Sequence, residues 1–159
     1  IGIDLGGTKI LGALFDESGK ILHKSKKKTK TKEGIKAVET QLFSVIDELL
    51  KANKKEEIKA IGIGVPGLVD TKTGVVKFAP NITMNNYPIG ELIKNKYKLD
   101  VFVGNDVNVG VLGEWKYSLG GQTGNLIGIF VGTGIGGGMI LNNRSYDNRQ
   151  LWCYMWMWF

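Results

Sequence analysis

The sequence begins with IGIDLGGTKILGALFDESGK (residues 1–20), where two apolar runs flank a short segment that contains Gly6 and Gly7. Strand-forming residues on both sides of paired glycines predict two short strands joined by a tight turn. One interpretation is a hairpin in which the glycines only supply positive φ angles. The other is a phosphate-binding turn, because glycines leave backbone N–H groups open to an anion.

Asp4 favours the phosphate-binding interpretation. An acidic side chain on a mostly apolar strand loses hydration energy unless a partner compensates it. A carboxylate beside such a turn can organise the metal ion that accompanies a nucleotide. The opening residues therefore indicate a nucleotide site that includes Asp4 and the glycine turn.

The overall composition is that of an ordinary globular protein. The 159 residues are 43% hydrophobic with a mean hydropathy of −0.04, enough to bury the core of one domain or slightly more. No apolar run is long enough to cross a bilayer, and no secretory signal is present. The single cysteine excludes an internal disulfide and fits a reducing compartment, so we expect a cytoplasmic location without a membrane partner.

Much of the net charge of +6 lies in a lysine-rich segment, KSKKKTKTKEGIK (residues 24–36). One interpretation is a nucleic-acid-binding patch. The other is a solvated edge strand or loop guarded by lysine. We favour the edge strand, because the lysines alternate with serine and threonine and few aromatic residues or arginines accompany them. Binding to nucleic acid is therefore not expected.

The rest of the chain predicts alternating helices and strands. Apolar residues at helical spacing predict a helix over residues 33–52, and a third strand is expected over residues 21–31. This order predicts an α/β fold with a mixed sheet, flanking helices and ligand-binding loops along one sheet edge. We further expect a buried strand at 58–67, a turn and short strand at 69–78, a short helix at 88–97, a buried strand at 100–106, a helix at 107–118, and a strand, glycine loop and strand at 125–141.

The last residues break this pattern. The segment RQLWCYMWMWF (residues 149–159) has neither helical nor alternating periodicity. It could be an aromatic membrane anchor, a core strand of unusual composition, or a non-native stretch that follows a lost reading frame near Asn148. We favour the third interpretation, because the segment is too short and lacks the layout of an interfacial helix.

A second glycine-rich segment, GTGIGGG (residues 132–138), contains the spacing of a dinucleotide-binding fingerprint at Gly132, Gly134 and Gly137. A strand-like run follows these glycines where that fingerprint requires a helix. No acidic residue follows at the distance needed to bind a ribose. The segment therefore predicts a second phosphate-facing hairpin and not an NAD site.

Asn105 and Asp106 follow a strand and precede a helix. Asp is a preferred helix N-cap, so a purely structural role for Asp106 is one interpretation. The other is catalysis, because α/β sheets present ligand-binding groups at the carboxyl ends of their strands. An ionised Asp106 could accept the proton of a substrate hydroxyl as that oxygen attacks a phosphoryl group.

Four segments together resemble the ROK family (repressors, open reading frames, kinases), and most closely its glucokinase-like sugar kinases. They are DLGGTK (residues 4–9), GVPG (64–67), ND (105–106) and GTGIGGG (132–138). The resemblance implies an actin-like, ribonuclease-H-like ATPase fold of two lobes. Residues 1–118 would form the N-terminal lobe, residues 119–147 the start of the second lobe, and residues 148–159 the aberrant tail.

The resemblance also implies a role for each matching residue. Asp4 would place Mg²⁺, directly or through water, and Asp106 would be the general base for a sugar hydroxyl. The hexose would be bound by Gly67, Asn81, Asn105 and Asp106. ATP and its Mg²⁺ would be bound by Asp4, Gly6, Gly7, Thr8, Lys9, Gly132, Thr133, Gly134, Gly136 and Gly137.

The chain also departs from the pattern of these kinases. Their zinc site is not assignable, because His23 lies in the wrong region and Cys153 has no partners. Most of the second lobe is missing, so we expect an N-terminal portion with little kinase activity alone. The complete protein is expected to be a homodimer. A ROK-type sugar-responsive transcriptional repressor is the alternative function.

Overall fold

The computed structural model describes residues 1–53, 58–121, 124–131 and 135–146. They form two compact units, Ile1–Gly104 and a second unit that begins at Asn105. The lobe boundary predicted at residue 118 stays a prediction, and the predicted tail, residues 148–159, lies outside the described residues. Within the described residues, no helix is both long and apolar enough to span a membrane.

The opening hairpin is confirmed as part of a five-stranded sheet in the first unit. Strand β1 (Gly2–Leu5) pairs antiparallel with β2 (Lys9–Phe15), so that Leu5 lies opposite Ile10. It also pairs in parallel with β4 (Ala60–Val65). The sheet is therefore mixed, as the sequence predicts. Its strand order is β3-β2-β1-β4-β8, with β3 at Ile21–Lys28 and β8 at Asp100–Asn105.

Helix α1 (Ile35–Ala52) covers one face of this sheet and forms the core with it. It begins later than predicted, because Gly34 has a φ of 89° and follows a 3₁₀ turn at Thr31–Glu33. Gly12 lets the helix approach the sheet, since a Cβ there would lie 2.5 Å from Val45 Cγ1. The fully or almost fully buried core includes Ile3, Leu5, Ile10, Val38, Leu42, Val45, Ile46, Leu49, Ile61 and Ile63.

Of the predictions for the two edge strands of the sheet, one is confirmed and one is wrong. β3 is an edge strand that exposes Lys24, Lys26 and Lys28, which confirms the lysine-guarded edge. β8 was expected to be buried, and this expectation is wrong: it forms the other edge, and Phe102 is 67% exposed. An apolar strand sequence alone does not reveal whether both faces are covered.

A smaller antiparallel sheet completes the first unit. Its order is β5-β6-β7, and the predicted helix at residues 88–97 is confirmed as α2 (Ile89–Tyr97). Strand β7 was not predicted, because its sequence MNNY lacks a strand-forming apolar pattern. The strands are β5 (Leu68–Asp70), β6 (Val75–Ala79) and β7 (Met84–Tyr87).

The second unit packs a helix on an antiparallel sheet. Helix α3 (Asp106–Gly113) continues as a π-helical segment, Glu114–Ser118, so the predicted helix at 107–118 is confirmed with a change of helix type. The predicted strand, loop and strand are β9 (Leu126–Val131) and β10 (Ile135–Leu141). A third strand, β11 (Arg144–Tyr146), pairs with β10.

Candidate functional site

The turn between β1 and β2 is held closed by a hydrogen bond from Gly6 N–H to the Lys9 carbonyl at 3.0 Å. Neither Gly6 nor Gly7 has a positive φ, so the interpretation that they only supply this conformation is wrong. The glycines are instead needed for space. A Cβ at Gly6 would lie 3.1 Å from the Lys9 carbonyl oxygen, and one at Gly7 would lie 3.2 Å from the Asn81 carbonyl oxygen.

The same turn presents backbone donors that the protein does not use. Within the described residues, the N–H groups of Gly7 and Thr8 donate to no protein acceptor. The carbonyl groups of Gly6 and Thr8, by contrast, both accept hydrogen bonds from Thr29. Adjacent open N–H groups on a glycine turn form a binding site for an anion such as phosphate. Sequence reasoning missed Thr29, because its contact with the turn joins distant parts of the chain.

Asp4 stands on the sheet face opposite α1. It alternates with the buried Ile3 and Leu5, and its own side chain is exposed. Gly64 lies directly opposite Asp4 on β4, and Gly62 is opposite Gly2. On the β4 side, these glycines leave the surface beside the carboxylate without side chains, whereas Leu11 lies opposite Asp4 on β2. Loss of hydration raises the pKa of Asp4, and the positive charge of Lys9 opposes this rise.

This carboxylate fits the needs of a magnesium ion that arrives with a nucleotide. Mg²⁺ keeps several waters and commonly takes only one or two protein carboxylates besides substrate phosphates. Asp4 supplies one such oxygen donor on β1, the strand that leads into the turn. The described residues contain no group of three His, Cys, Asp or Glu side chains that could hold a metal by themselves.

The structure brings one of the predicted sugar-binding residues, Asn81, close to the turn. Asn81 lies in a 3₁₀ helix, Pro80–Ile82, and its Cβ would be 3.5 Å from a Cβ placed on Gly7. Gly67 has a φ of 91° and approaches the end of β6, where a Cβ would lie 2.2 Å from the Phe78 carbonyl oxygen. Because β1 and β4 are parallel, their carboxyl ends place the turn and Gly67 along one edge of the sheet.

In the second unit, the helix cap is Asn105 and not Asp106. The Oδ1 atom of Asn105 accepts hydrogen bonds from the N–H groups of Val107 and Asn108, each at 3.1 Å. Asp106 is the first helical residue, and its Oδ1 accepts from Val107 N–H at 2.9 Å. The helix dipole favours the ionised carboxylate at this position. Its role as a general base stays a prediction.

The glycines of β10 have two environments. A Cβ at Gly136 would lie 2.6 Å from Val107 Cγ2, so this glycine makes room for α3. A Cβ at Gly137 would meet only the Gly128 carbonyl oxygen, at 3.6 Å. Phosphate binding by Gly136 and Gly137 stays a prediction. The predicted phosphate-binding residues Gly132, Thr133 and Gly134 lie outside the described residues, as does Cys153, whereas His23 is exposed on β3.

Comparison with known families and curated proteins gives a consistent result. The model of the ROK family matches residues 1–149. A glucokinase from Streptomyces coelicolor is 39% identical over 144 residues, which cover 91% of this chain and 44% of the relative. A xylose repressor from Caldicellulosiruptor bescii is 33% identical over 148 residues, which cover 92% of this chain and 37% of the relative.

Solved structures also match. The crystal structure of a ROK family glucokinase from Streptomyces griseus, in complex with glucose and AMPPNP, superposes with a TM-score of 0.82 at 33% identity. The match covers 91% of this chain and 45% of that protein. The chain therefore spans less than half the length of these relatives.

Proposed function

Because this chain belongs to the ROK family, whose sugar kinases have the actin-like ATPase fold, we propose that it is the N-terminal portion of an ATP-dependent hexose kinase of the glucokinase type. One observation carries the proposal: the turn with open N–H groups contacts the segment that holds Asn81. A phosphate-binding group and a predicted sugar-binding group thus adjoin each other within the first unit. A phosphotransferase that acts on a sugar needs these two groups close together.

In the proposed reaction, Asp106 accepts the proton of the sugar hydroxymethyl group as its oxygen attacks the γ-phosphorus of ATP. A bond forms between that oxygen and phosphorus, the bond to the β–γ bridging oxygen breaks, and ADP leaves. The N–H groups of Gly7 and Thr8 donate to phosphate oxygens, while Asn105, Asn81 and Gly67 position the sugar. Asp4 would help to hold the Mg²⁺ that accompanies the nucleotide, and this ion would supply neutralisation of the phosphate charge.

Several properties of the complete protein follow from this proposal. The second phosphate loop, Gly132–Gly137, would contact the nucleotide together with the first. The 159-residue chain alone would have little kinase activity, because phosphoryl transfer depends on positioning by a complete site. We further propose a cytoplasmic homodimer that binds neither membranes nor nucleic acid.

The test is the substitution Asp106→Asn in the complete protein. Without a general base, glucose-dependent ATP turnover should fall about 10²- to 10⁴-fold, while glucose affinity is kept. A coupled kinase assay and calorimetric titration with glucose measure the two quantities. Asp100→Asn is the matched control, because Asp100 is an exposed acid on β8 whose carboxylate lies 3.4 Å from Lys94 Nζ. Turnover retained in Asp106→Asn would contradict the proposed role.

A sugar-responsive repressor is the second candidate, and the similarity to the xylose repressor favours it. The two functions differ in what the complete protein does with ATP and DNA. The kinase proposal predicts hexose phosphorylation and no sugar-dependent binding to the DNA upstream of its own gene. A mobility-shift assay with that DNA, with and without sugars, would detect a repressor.

A further inference from the structure

Thr29 donates two hydrogen bonds to carbonyl groups of the proposed phosphate-binding turn. Its backbone N–H donates to the Thr8 carbonyl at 3.1 Å, and its Oγ1 donates to the Gly6 carbonyl at 2.5 Å. The residue is fully buried, with 0% of its surface exposed. Within the described residues, Thr29 and Ser25 are the buried polar residues, and only Thr29 contacts the turn. The sequence motif that marks the turn, residues 4–9, does not include it.

The planarity of the peptide bond explains what these hydrogen bonds do. In a trans peptide, the C=O of one residue and the N–H of the next point in opposite directions. A hydrogen bond that fixes the Gly6 carbonyl toward Thr29 therefore directs the Gly7 N–H away from it. That N–H is one of the two donors without a protein acceptor in the described residues. The hydroxyl of Thr29 thus sets the direction of a group that would meet phosphate.

We propose that Thr29 is a positioning residue for the nucleotide: it aims the Gly7 N–H of the Gly6–Thr8 turn at the phosphates without touching them. This inference rests on the proposed function, because it assumes that the turn binds phosphate. It assigns a function to a side chain outside the glycine motif. It also separates Thr29 from Ser25, a buried hydroxyl on the preceding strand that donates to Glu48 Oε2 at 2.6 Å and not to the turn.

The experiment compares Thr29→Val, Thr29→Ser and Ser25→Ala with the parent in the complete protein. Valine keeps the volume of Thr29 but removes the hydroxyl, and serine restores it. We expect Thr29→Val to weaken the affinity for AMPPNP about tenfold, because a misdirected Gly7 N–H would lose about one hydrogen bond to phosphate. Glucose affinity should change less than about twofold, because it does not depend on the Gly7 N–H. Calorimetric titration with each ligand gives both constants, and circular dichroism verifies folding.

The controls make every outcome informative. Thr29→Ser should bind AMPPNP nearly as the parent does, and Ser25→Ala should lose stability without a specific loss of AMPPNP affinity. Equal losses for AMPPNP and glucose in Thr29→Val, or no loss for AMPPNP, would overturn the proposal. If Thr29→Val does not fold, a Thr29→Ser variant with weakened AMPPNP affinity would overturn it as well. A parent protein that binds no AMPPNP would instead refute the proposed function, and the role of Thr29 with it.

Discussion

The two glycine-rich segments look alike in sequence but differ in structure. In the first unit, Gly6 and Gly7 form a turn whose close neighbours are backbone carbonyl oxygens, at 3.1 and 3.2 Å from an added Cβ. In the second unit, Gly136 of the second segment and Gly128 on the paired strand β9 lie within strands, and their close neighbours are the side chains of Val107 and Val111 on α3. The turn formed by the first pair leaves the N–H groups of Gly7 and Thr8 open, whereas the second pair makes room for a helix.

The comparison shows that a glycine motif indicates a position where another group lies close to the backbone, but it does not identify that group. Glycine is required wherever a Cβ would collide, whether the neighbour is a ligand, a loop or a helix. In the second unit, the strand glycines on the α3 side have a packing function that does not depend on a nucleotide. Substitutions can therefore distinguish the two kinds of glycine. Replacing a strand glycine under α3 should lower stability, whereas replacing a turn glycine should lower ligand affinity.

The largest expected effect is that of Gly128→Ala. The new Cβ would lie 2.3 Å from Val111 Cγ2, so helix α3 must shift, and we expect a loss of about 2 kcal/mol in the free energy of unfolding. Denaturant unfolding of the complete protein measures this loss. A double variant with Val111→Ala should lose less than the sum of the two single changes, because the collision is removed. Additive losses would show that α3 does not pack on Gly128.

A smaller and more specific contrast is expected between Gly136→Ala and Gly137→Ala. The Cβ at position 136 would collide with Val107, so we expect a loss of about 1 kcal/mol in the free energy of unfolding. The Cβ at position 137 has room, so its stability should stay near that of the parent, while AMPPNP affinity falls if this face meets phosphate. Equal melting temperatures of the two variants would contradict the expectation that Gly136 packs against α3 whereas Gly137 does not.

For the turn, Gly7→Ala should reduce glucose affinity more than stability. The added methyl would press on the Asn81 carbonyl at 3.2 Å and move the predicted sugar-binding segment. We expect about fivefold weaker glucose binding, equivalent to about 1 kcal/mol. Gly124→Ala is the matched control, because a Cβ there meets nothing within 4 Å. Unchanged glucose affinity in Gly7→Ala, measured by calorimetry, would mean that the contact has no role in sugar binding.

The smallest effect concerns Asp4. Because folding raises its pKa above the unfolded value of 3.8, the ionised carboxylate lowers stability at neutral pH, and this cost disappears once the pH falls below both values. Asp4→Asn should therefore unfold at a higher temperature than the parent at pH 7, with little difference at pH 3.5. Asp16→Asn should unfold at a lower temperature than the parent at pH 7. The hydrogen bond from Ser18 Oγ lowers the pKa of Asp16, so its ionised carboxylate stabilises the folded state. A lower melting temperature for Asp4→Asn at pH 7 would contradict this.

Much of the fold could be predicted because local patterns determine it. The glycine pair between apolar runs predicted the hairpin, and helical spacing of apolar residues predicted α1 within residues 33–52. Strand alternation also accounts for Asp4, since its neighbours Ile3 and Leu5 must face the core. Each of these features depends on residues that are close in sequence.

The features that were missed depend on contacts between distant residues. The hydrogen bonds of Thr29 join the end of β3 to a turn before β2, and nothing near Thr29 in the sequence indicates this. The packing of Gly136 against Val107 likewise requires α3 to lie on β10. The exposed face of β8 depends on its place at the sheet edge. The sequence offered Asp106 as a helix cap in one interpretation, but the cap is the adjacent Asn105, and both residue types favour that position.

The contact between Gly7 and Asn81 has a thermodynamic consequence. In the proposed function, a ligand that moved the Asn81 segment would also press on the turn, because Gly7 lies directly against the Asn81 backbone. Any change that hexose makes in nucleotide affinity must then equal the change that nucleotide makes in hexose affinity. In the proposed kinase, this reciprocity would let a bound hexose raise the affinity for ATP and would reduce ATP hydrolysis in the absence of hexose.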